Sequence, residues 1–464
     1  MAGVFIETMN IDITPLDRWI VTRTASRFPG EPTTGITTQL EAYQLWMLKK
    51  TLTLAREKSP FYRNHLKGIN LEDLRSVQDI RQLPFVFARD LADHGLQMLC
   101  VSQGEIARVT TLQTSGTTAR PKRIFFTQHD MENTAEFFTR GMATLVKPGQ
   151  RVMVLMPGPN FGSVGERVKT GLSQMGCSTL VNGFVDNPGS VVKKIAAFRA
   201  DCIIGLPVQV LSLARSSRAT AHGSSISTNR IKSVLLTGDY VPLSIIRAIK
   251  EIWHCPVFIH YGMTETGLGG GVECRAQRGC HLREADLFFE IIDENGYPLP
   301  LGQVGEVTVT TLTRTGMPLI RYRTGDRACF LEDLCPCGSR LKRLDRVRGR
   351  SVVRLGSQEI RLDEMDEAVF KLDNMVDFQV TLVEATVATA GIHLLNVEFW
   401  SIPDKVQGLE RKIEQALYKI PAIRHLMDQG ELTINSIFAS NAKLFSRPIK
   451  RSIKQERIKK KINV

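Results

Sequence analysis

Four short apolar runs constrain the fold of this chain more than any other feature. They lie at 151–157, 200–207, 231–238 and 255–262. Stretches with helical patterns lie between them, at 161–176, 188–199 and 241–253. Strands that alternate with helices predict a parallel sheet covered by helices on both faces. Ligands of such folds bind at the carboxyl ends of the strands, so we expect functional residues directly after these runs.

The regions on either side of this alternation have different patterns. An amphipathic helix is expected within 40–68, ending near Ser59-Pro60. Residues 286–330 have a β-rich pattern with turn dipeptides at Asn295-Gly296 and Thr315-Gly316. Beyond about residue 350 we expect a second, smaller α/β unit, which begins with SVVRLGSQEIR and continues with a helix at 362–372, two strands and a helix at 404–419. We therefore predict an α/β protein with a large N-terminal α/β domain at 1–348, a β-rich subdomain at about 283–348, and a small α+β C-terminal domain at 349–464.

The net charge of +13 invites a nucleic-acid interpretation, but its location argues against one. Residues 443–464 hold nine Lys/Arg and one Glu, and no aromatic residue follows Phe445 that could stack on bases. The sequence shows no apolar run of membrane-spanning length and no secretory signal pattern. The cytoplasm is the expected compartment, and nucleic acid is not an expected partner.

The segment at 111–122, TLQTSGTTARPK, concentrates hydroxyl side chains around a glycine. Hydroxyls, free backbone N–H groups and a lysine are suited to binding phosphate. Runs of Ser, Thr and Gly are also common in surface loops, and the spacing is not that of a Walker A loop. The candidate phosphate ligands are Thr114, Ser115, Gly116, Thr117, Thr118 and Lys122.

TSGTT followed by PK resembles the phosphate loop of adenylate-forming enzymes, which include acyl-CoA synthetases, luciferases and peptide-synthetase adenylation domains. Three further signatures of that superfamily follow in order: HYGMTE at 260–265, YRTGD at 322–326 and DRVRGR at 345–350. PFYR at 60–63 and LPF at 83–85 precede the phosphate loop, an order similar to that of phenylacetate–CoA ligase-like proteins. The resemblance covers roughly residues 40–455 and implies that the small C-terminal domain is mobile.

The resemblance also implies roles for individual residues. Glu265 is the expected Mg²⁺ ligand, because a hard cation prefers oxygen, although a carboxylate there could also offset a helix dipole. Thr264 would reach the α-phosphate, and Asp326 would accept hydrogen bonds from both ribose hydroxyls. Tyr261 would stack on adenine. The other expected nucleotide contacts are Gly262, the turn Gly238, Asp239 and Tyr240, and Arg350.

The C-terminal lysine and the acid pocket are harder to assign. Enzymes of this kind bring a lysine to the α-phosphate, but the usual Gly-Lys is missing here and Pro448 stands at the aligned place. Lys450 is our candidate, with Lys443 second, although lysine-rich tails also arise without a catalytic role. Val352 replaces the usual acidic residue or lysine near the hinge.

The segment at 157–168 falls where this family lines its acyl pocket. Phe161 and Gly162 are therefore candidate pocket residues, and His260 of the HYGMTE motif is a further candidate. Phe161 could equally cap a helix against the core.

A group of cysteines predicts a metal site. Nine cysteines without a secretory signal argue against disulfides. ECRAQRGCH at 273–281 and CPCG at 335–338 supply thiolate and imidazole ligands from two separated knuckles, which suits tetrahedral Zn²⁺. Similar positions occur in a zinc-carrying branch of the phenylacetate–CoA ligase-like proteins. Those that match are Cys274, His281, Cys335 and Cys337, which leaves Cys280 as a spare or alternative ligand, and ordinary buried cysteines as the competing interpretation.

Together these features predict an AMP-forming acid–CoA ligase that uses ATP, Mg²⁺ and CoA, with structural Zn²⁺. The expected substrate is a small carboxylic acid of the aryl or arylacetic class. Two alternatives remain open: transfer of an adenylyl group to a cofactor or another acid without CoA, and nucleotide binding without turnover. The sequence leaves both a monomer and a homodimer open.

Overall fold

The computed structural model describes residues 14–28, 36–112, 120–158, 160, 162–220, 230–384, 391–402, 406–439 and 451–456. The α-helices of these ranges are α1 (Pro15–Arg27), α2 (Ile36–Lys58), α3 (Pro60–His65), α4 (Ala88–His94), α5 (Gln128–Met142), α6 (Val164–Gln174), α7 (Pro188–Phe198), α8 (Pro207–Thr220), α9 (Leu243–Trp253), α10 (Leu362–Val369), α11 (Leu409–Tyr418) and α12 (Pro421–Asp428).

The strands of the same ranges are β1 (Ile106–Leu112), β2 (Lys122–Thr127), β3 (Arg151–Leu155), β4 (Ser178–Val181), β5 (Cys202–Gly205), β6 (Ser233–Leu236), β7 (Val257–Tyr261), β8 (Gly271–Glu273), β9 (Cys280–Leu282), β10 (Leu287–Ile292), β11 (Gly305–Thr311), β12 (Tyr322–Ala328), β13 (Arg343–Leu344), β14 (Val352–Leu355), β15 (Gln358–Arg361), β16 (Met375–Val383), β17 (His393–Ser401), β18 (Leu432–Phe438) and β19 (Ile453–Glu456).

The four apolar runs form strands β3, β5, β6 and β7, as predicted. The helical patterns between them form α6, α7 and α9. The helix expected at 40–68 is α2 followed by α3, and the break lies at Ser59, which caps the N-terminus of α3 ahead of Pro60. The α/β fold class is confirmed.

Packing divides the chain into two compact units, each assembled from separate segments. The first unit comprises 1–149, 159–179 and 258–347, and the second comprises 150–158, 180–257 and 348–464. A unit boundary therefore falls next to the predicted domain boundary at 348/349, but the domain assignment itself stays a prediction.

The first unit contains antiparallel sheets and a hydrophobic core built from both helices and strands. Strands β10, β11 and β12 form a meander, in which Thr308 is opposite Arg323. Strand β8 pairs with β7 and β9, and β13 pairs with β9. This core combines apolar side chains of α2, α3 and β2 with residues that precede β12, such as Met317 and Leu319. These sheets bring the starts of β2 and β12 and the end of β7 into one unit.

The second unit contains a parallel sheet and a mixed sheet. Strand β5 pairs in parallel with both β3 and β6, which confirms the predicted parallel arrangement. The mixed sheet has the order β18-β17-β16-β19, and its edge strand β19 runs parallel to β16, with Val380 opposite Ile453. Strands β14 and β15 form a hairpin next to α10.

No helix of the described ranges has both the length and the apolar character needed to cross a membrane.

Candidate active site

Glu265, the expected magnesium ligand, lies in a short 3₁₀ helix that follows β7 and begins at Thr264. Its side chain is buried and forms an ion pair with Lys122, the first residue of β2. Tyr322, the first residue of β12, donates its hydroxyl to Oε1 of Glu265 at 3.2 Å and accepts from Nζ of Lys122 at 3.3 Å. A buried carboxylate needs a compensating positive charge. In this structure the ammonium group of Lys122 provides it.

Asp326 is held by a second tyrosine. Tyr261, the last residue of β7, donates its hydroxyl to Oδ2 of Asp326 at 3.0 Å. The backbone N–H of Asp326 donates to Oγ1 of Thr324 at 3.0 Å, and Gly325 between them has a φ of +75°. Glu306 closes this turn, because its carboxylate accepts from the N–H of Gly325 at 3.0 Å. Tyr261 therefore orients the Asp326 carboxylate, and the turn at Gly325 positions its backbone.

The segment between β7 and β8 folds back on itself after the tyrosine. A Cβ atom on Gly262 would lie 2.3 Å from the carbonyl oxygen of Leu268, so only glycine fits at this position. The N–H of Met263 donates to Oγ1 of Thr266 at 3.1 Å. This compact turn presents Thr264 and Glu265 directly after the strand end.

The turn at Gly238–Tyr240 follows β6 in the second unit. Gly238 has a φ of +87°, and a Cβ atom there would lie 2.8 Å from a side-chain carbon of Leu206. Tyr240 donates its hydroxyl to Glu367 at 3.0 Å. Asp239 accepts from the backbone N–H of Arg451 at 3.5 Å.

Arg350, the other nucleotide contact predicted in this unit, is exposed and precedes Ser351. The hydroxyl of Ser351 accepts from the N–H of Ile453 at 2.7 Å.

The predicted pocket residues are described only in part. His260 on β7 is buried against the rings of Phe137 and Phe138, at centroid distances of 6.1 and 5.8 Å. Burial lowers the pKa of His260 to about 4, so its imidazole is neutral at pH 7. Gly162 has a φ of +71°, and a Cβ atom there would lie 2.4 Å from the side chain of Arg108.

Several other predicted residues lie outside the described ranges. They are Thr114, Ser115, Gly116, Thr117, Thr118, Phe161, Lys443 and Lys450.

The predicted zinc ligands lie together. One ligand atom from each of Cys274, His281, Cys335 and Cys337 falls within 4.8 Å of all the others. The Sγ atoms of Cys274 and Cys335 are 3.5 Å apart, and Nε2 of His281 is 3.5 Å from Sγ of Cys337. Gly338 has a φ of +84° and donates its N–H to the carbonyl of Cys335 at 3.0 Å, which forms a tight turn at 335–338.

The chemistry of this cluster suits a metal ion. Burial raises the pKa of the Cys274 and Cys337 thiols and lowers that of His281 to about 4. The imidazole is therefore neutral and can donate a lone pair, while a cation would stabilise the thiolates that burial disfavours. Cys280 is outside the cluster, and its thiol faces the carbonyl of Ile259 at 3.5 Å.

The sequence did not predict several contacts that hold the site residues in place. It did not predict the pairing of Lys122 with Glu265, the role of Tyr322 beside them, or the carboxylates of Glu306 and Glu367. Tyr322 could have been predicted, since it is the first residue of the YRTGD motif. The two glutamates lie in ordinary helix and strand patterns that carry no local signal.

Comparisons with known proteins agree with the fold. The family model described as "AMP-binding enzyme" matches residues 106–313. A solved structure of 2-hydroxyisobutyryl-CoA ligase in the postadenylation state superposes with a TM-score of 0.74 at 20% identity, over 91% of this chain and 90% of that one. The chain therefore shares the fold of adenylate-forming ligases.

Two relatives narrow this class. The phenylacetate-coenzyme A ligase of Thermus thermophilus is 31% identical over 324 residues, which cover 68% of this chain and 71% of the relative. The phenylacetate-coenzyme A ligase of Escherichia coli is 26% identical over 349 residues, which cover 73% of this chain and 77% of the relative. The chain belongs to the phenylacetate–CoA ligase family.

Proposed function

We propose that this chain is an ATP-dependent, AMP-forming ligase that joins an aryl or arylacetic acid to CoA through an acyl-adenylate. Family membership supports the reaction class. The observation that carries the proposal is the buried Glu265 carboxylate, paired with Lys122 and hydrogen-bonded by Tyr322 at the end of β7. A buried carboxylate with a displaceable lysine partner is suited to holding a divalent cation next to phosphates.

Lys122 has two successive partners in this proposal. In this structure its ammonium group compensates the charge of Glu265. With a nucleotide bound, Glu265 would hold Mg²⁺, which would supply charge neutralisation at the phosphates, and the Lys122 ammonium group would be free to contact a phosphate oxygen. A lysine suits this exchange because its charge sits on a flexible stem with rotatable donors.

Asp326 binds the ribose in this proposal. Its carboxylate accepts the two ribose hydroxyls, while Tyr261 holds it in a fixed orientation through the 3.0 Å hydrogen bond. Tyr261 also presents its ring to adenine. The turn at 238–240 and Arg350 supply the remaining contacts to the nucleoside.

Lys450 is the proposed lysine for the adenylation step. Its chain neighbour Arg451 supports this assignment, because the backbone N–H of Arg451 donates to Asp239 in the proposed adenine-binding turn. The missing Gly-Lys keeps Lys443 as the second candidate.

The test is ATP–pyrophosphate exchange with a panel of aryl, arylacetic and fatty acids. Wild type, Lys450→Ala and Lys443→Ala are compared, and CoA is then added so that the product mass can be measured. We expect exchange with aryl or arylacetic acids, loss of exchange in Lys450→Ala only, and a CoA thioester as product. Exchange without thioester would indicate adenylyl transfer to another acceptor, and ATP binding without exchange would indicate a non-catalytic protein.

We also propose that the Cys274, His281, Cys335 and Cys337 cluster holds a structural Zn²⁺ ion. Three thiols and one imidazole form a complete tetrahedral ligand set, which leaves no position for a substrate. The ion would join the turn before β9 to the turn before β13.

Metal analysis of purified variants tests the zinc proposal. Cys335→Ser is expected to lose zinc and to melt at a lower temperature. Cys280→Ser is the matched control, since its thiol is buried in the same region but lies outside the cluster. Equal zinc content in the two variants would contradict the assignment.

A further inference from the structure

Helix α1 is tied at its first turn to the segment that carries two of the predicted zinc ligands. Thr14 caps the helix, and its hydroxyl donates to Oδ2 of Asp17. The other carboxylate oxygen, Oδ1, accepts from the hydroxyl of Ser339 at 2.6 Å. Asp17 and Ser339 are both buried. This hydrogen bond therefore joins two segments that lie 322 residues apart in the chain.

Ser339 directly follows the CPCG knuckle at 335–338. While its hydroxyl donates to Asp17, it also accepts from the backbone N–H of Leu341 at 3.2 Å. The Ser339 side chain thus connects helix α1 to the chain that leads into β13. It anchors the knuckle on its carboxyl-terminal side, two residues after the predicted ligand Cys337.

Asp17 also lies near the predicted histidine ligand. Nε2 of His281 is 3.5 Å from Sγ of Cys337, and the other ring nitrogen, Nδ1, is buried without a hydrogen-bond partner among the described residues. The Asp17 carboxylate is close enough to act electrostatically on this ring. Groups next to the second nitrogen of a metal-binding histidine orient its ring and tune its affinity for the metal. Asp17 is therefore placed to support both knuckles of the cluster.

A second anchor holds α1 further along the helix. The indole N–H of Trp19 donates to Glu136 of α5 at 2.6 Å, and the guanidinium of Arg23 pairs with the same carboxylate at 2.7 Å. This anchor involves none of the predicted zinc ligands. Removing the Glu136 side chain would loosen the same helix and leave the hydrogen bond between Asp17 and Ser339 in place, which makes it a matched control.

We propose that Asp17 is a positioning residue for the metal cluster, in which its hydrogen bond to Ser339 fixes the knuckle at 335–338 next to His281. The inference rests on the zinc proposal above and is independent of the ligase reaction. Residues that support metal ligands in this way typically contribute about 10–100-fold to metal affinity. Zinc should therefore leave the cluster more readily when position 17 cannot bind Ser339.

The rate of zinc release tests this role. Asp17→Ala, Asp17→Asn and Ser339→Ala are compared with wild type and with the Glu136→Ala control. Bound zinc is measured by elemental analysis of the purified proteins. Its transfer to an excess of a chromogenic chelator is followed at a temperature well below the melting transition, and the melting temperatures of the zinc-loaded proteins are recorded as well.

We expect Asp17→Ala and Ser339→Ala to release zinc about tenfold faster than wild type. Asp17→Asn should stay close to the wild-type rate, since its amide oxygen can still accept from Ser339. Glu136→Ala should melt at a lower temperature, because α1 loses its contacts with α5, but should release zinc at the wild-type rate. A general loosening of α1 would not produce this difference between the variants.

Equal release rates for wild type and Asp17→Ala would overturn the proposal. Equally fast release from Glu136→Ala would also overturn it, because the effect would then belong to helix α1 as a whole. If Asp17→Ala does not fold, Ser339→Ala decides, since it removes the same hydrogen bond and keeps the carboxylate. Purified wild type without zinc would refute the metal assignment itself, a result distinct from an unchanged rate in the variants.

Discussion

Replacing Arg321 by methionine removes the partner of a deeply buried carboxylate. Arg321 is 2% exposed, and its guanidinium pairs with Glu290 through two hydrogen bonds of 2.9 and 3.1 Å. Nη1 also donates to the carbonyls of Arg81 and Leu83, each at 2.9 Å. The methionine side chain fills part of the volume but supplies none of these donors.

The expected loss of folding stability follows from the Glu290 carboxylate, which stays in the core without its partner. Breaking a buried ion pair by removing one partner costs about 3–5 kcal/mol, because the other charge stays in the core. For a cooperative unit of a few hundred residues, each kcal/mol lowers the melting temperature by about 2 °C. We therefore expect Arg321→Met to melt about 6–10 °C below wild type.

The pH dependence of this loss identifies its cause. Burial raises the pKa of Glu290, and Arg321 opposes that shift. Without Arg321 the folded state binds the Glu290 proton more tightly than the unfolded state does, so stability falls as pH rises above the ordinary pKa of a glutamate. The destabilisation should therefore be larger at about pH 8 than at about pH 5.

Melting curves of three variants test this reasoning. The double variant Arg321→Met with Glu290→Met should recover much of the loss, because no unpaired charge remains. Arg343→Met is the control: its partner Asp333 is 58% exposed, so that carboxylate returns to water and the loss should be smaller. A loss for Arg321→Met that matches the control, or that does not depend on pH, would refute the reasoning.

Three further predictions concern the site. Glu265→Gln should lower the rate of pyrophosphate exchange by about a hundredfold with little change in acid affinity. An unchanged rate would show that Glu265 is not a magnesium ligand. Tyr261→Phe should raise the KM for ATP by about tenfold, since the charge-assisted hydrogen bond to Asp326 is lost; a KM equal to wild type would show that Asp326 is oriented without it. Prolonged treatment with a strong zinc chelator should lower the melting temperature of wild type and leave that of Cys335→Ser unchanged, and an equal shift in both would point to a metal bound elsewhere.

Local sequence patterns predicted the strands and helices because each one depends on residues close in the chain. The parallel strands β3, β5 and β6 follow from apolar runs between helical patterns. Helix α1 was missed although its start carries a signal: Thr14 caps it, Pro15 follows, and the N–H of Asp17 donates to the Thr14 hydroxyl at 3.1 Å. The capping pattern at 14–17 is enough to predict the start of this helix.

Contacts between distant residues could not be predicted in the same way. The motifs identified Lys122 and Glu265 separately, but their ion pair depends on how β2 and the end of β7 pack in the first unit. Glu367 is one acidic residue among several in α10, and only the docking of that helix on α9 shows which one caps it. The cluster of Cys274, His281, Cys335 and Cys337 was an exception, since the spacing of these residues in the sequence already predicted that they lie together.

The interrupted course of the chain through its two units has a consequence for how the protein is made. Neither unit corresponds to one continuous stretch, since the first needs 258–347 and the second needs 348–464 to be complete. During synthesis, the early segments of both units must wait for partners that emerge later, with apolar surface exposed in the meantime. Fragments cut at single positions inside either unit should therefore be poor candidates for separate expression, and recovery after unfolding should slow or fail as protein concentration rises.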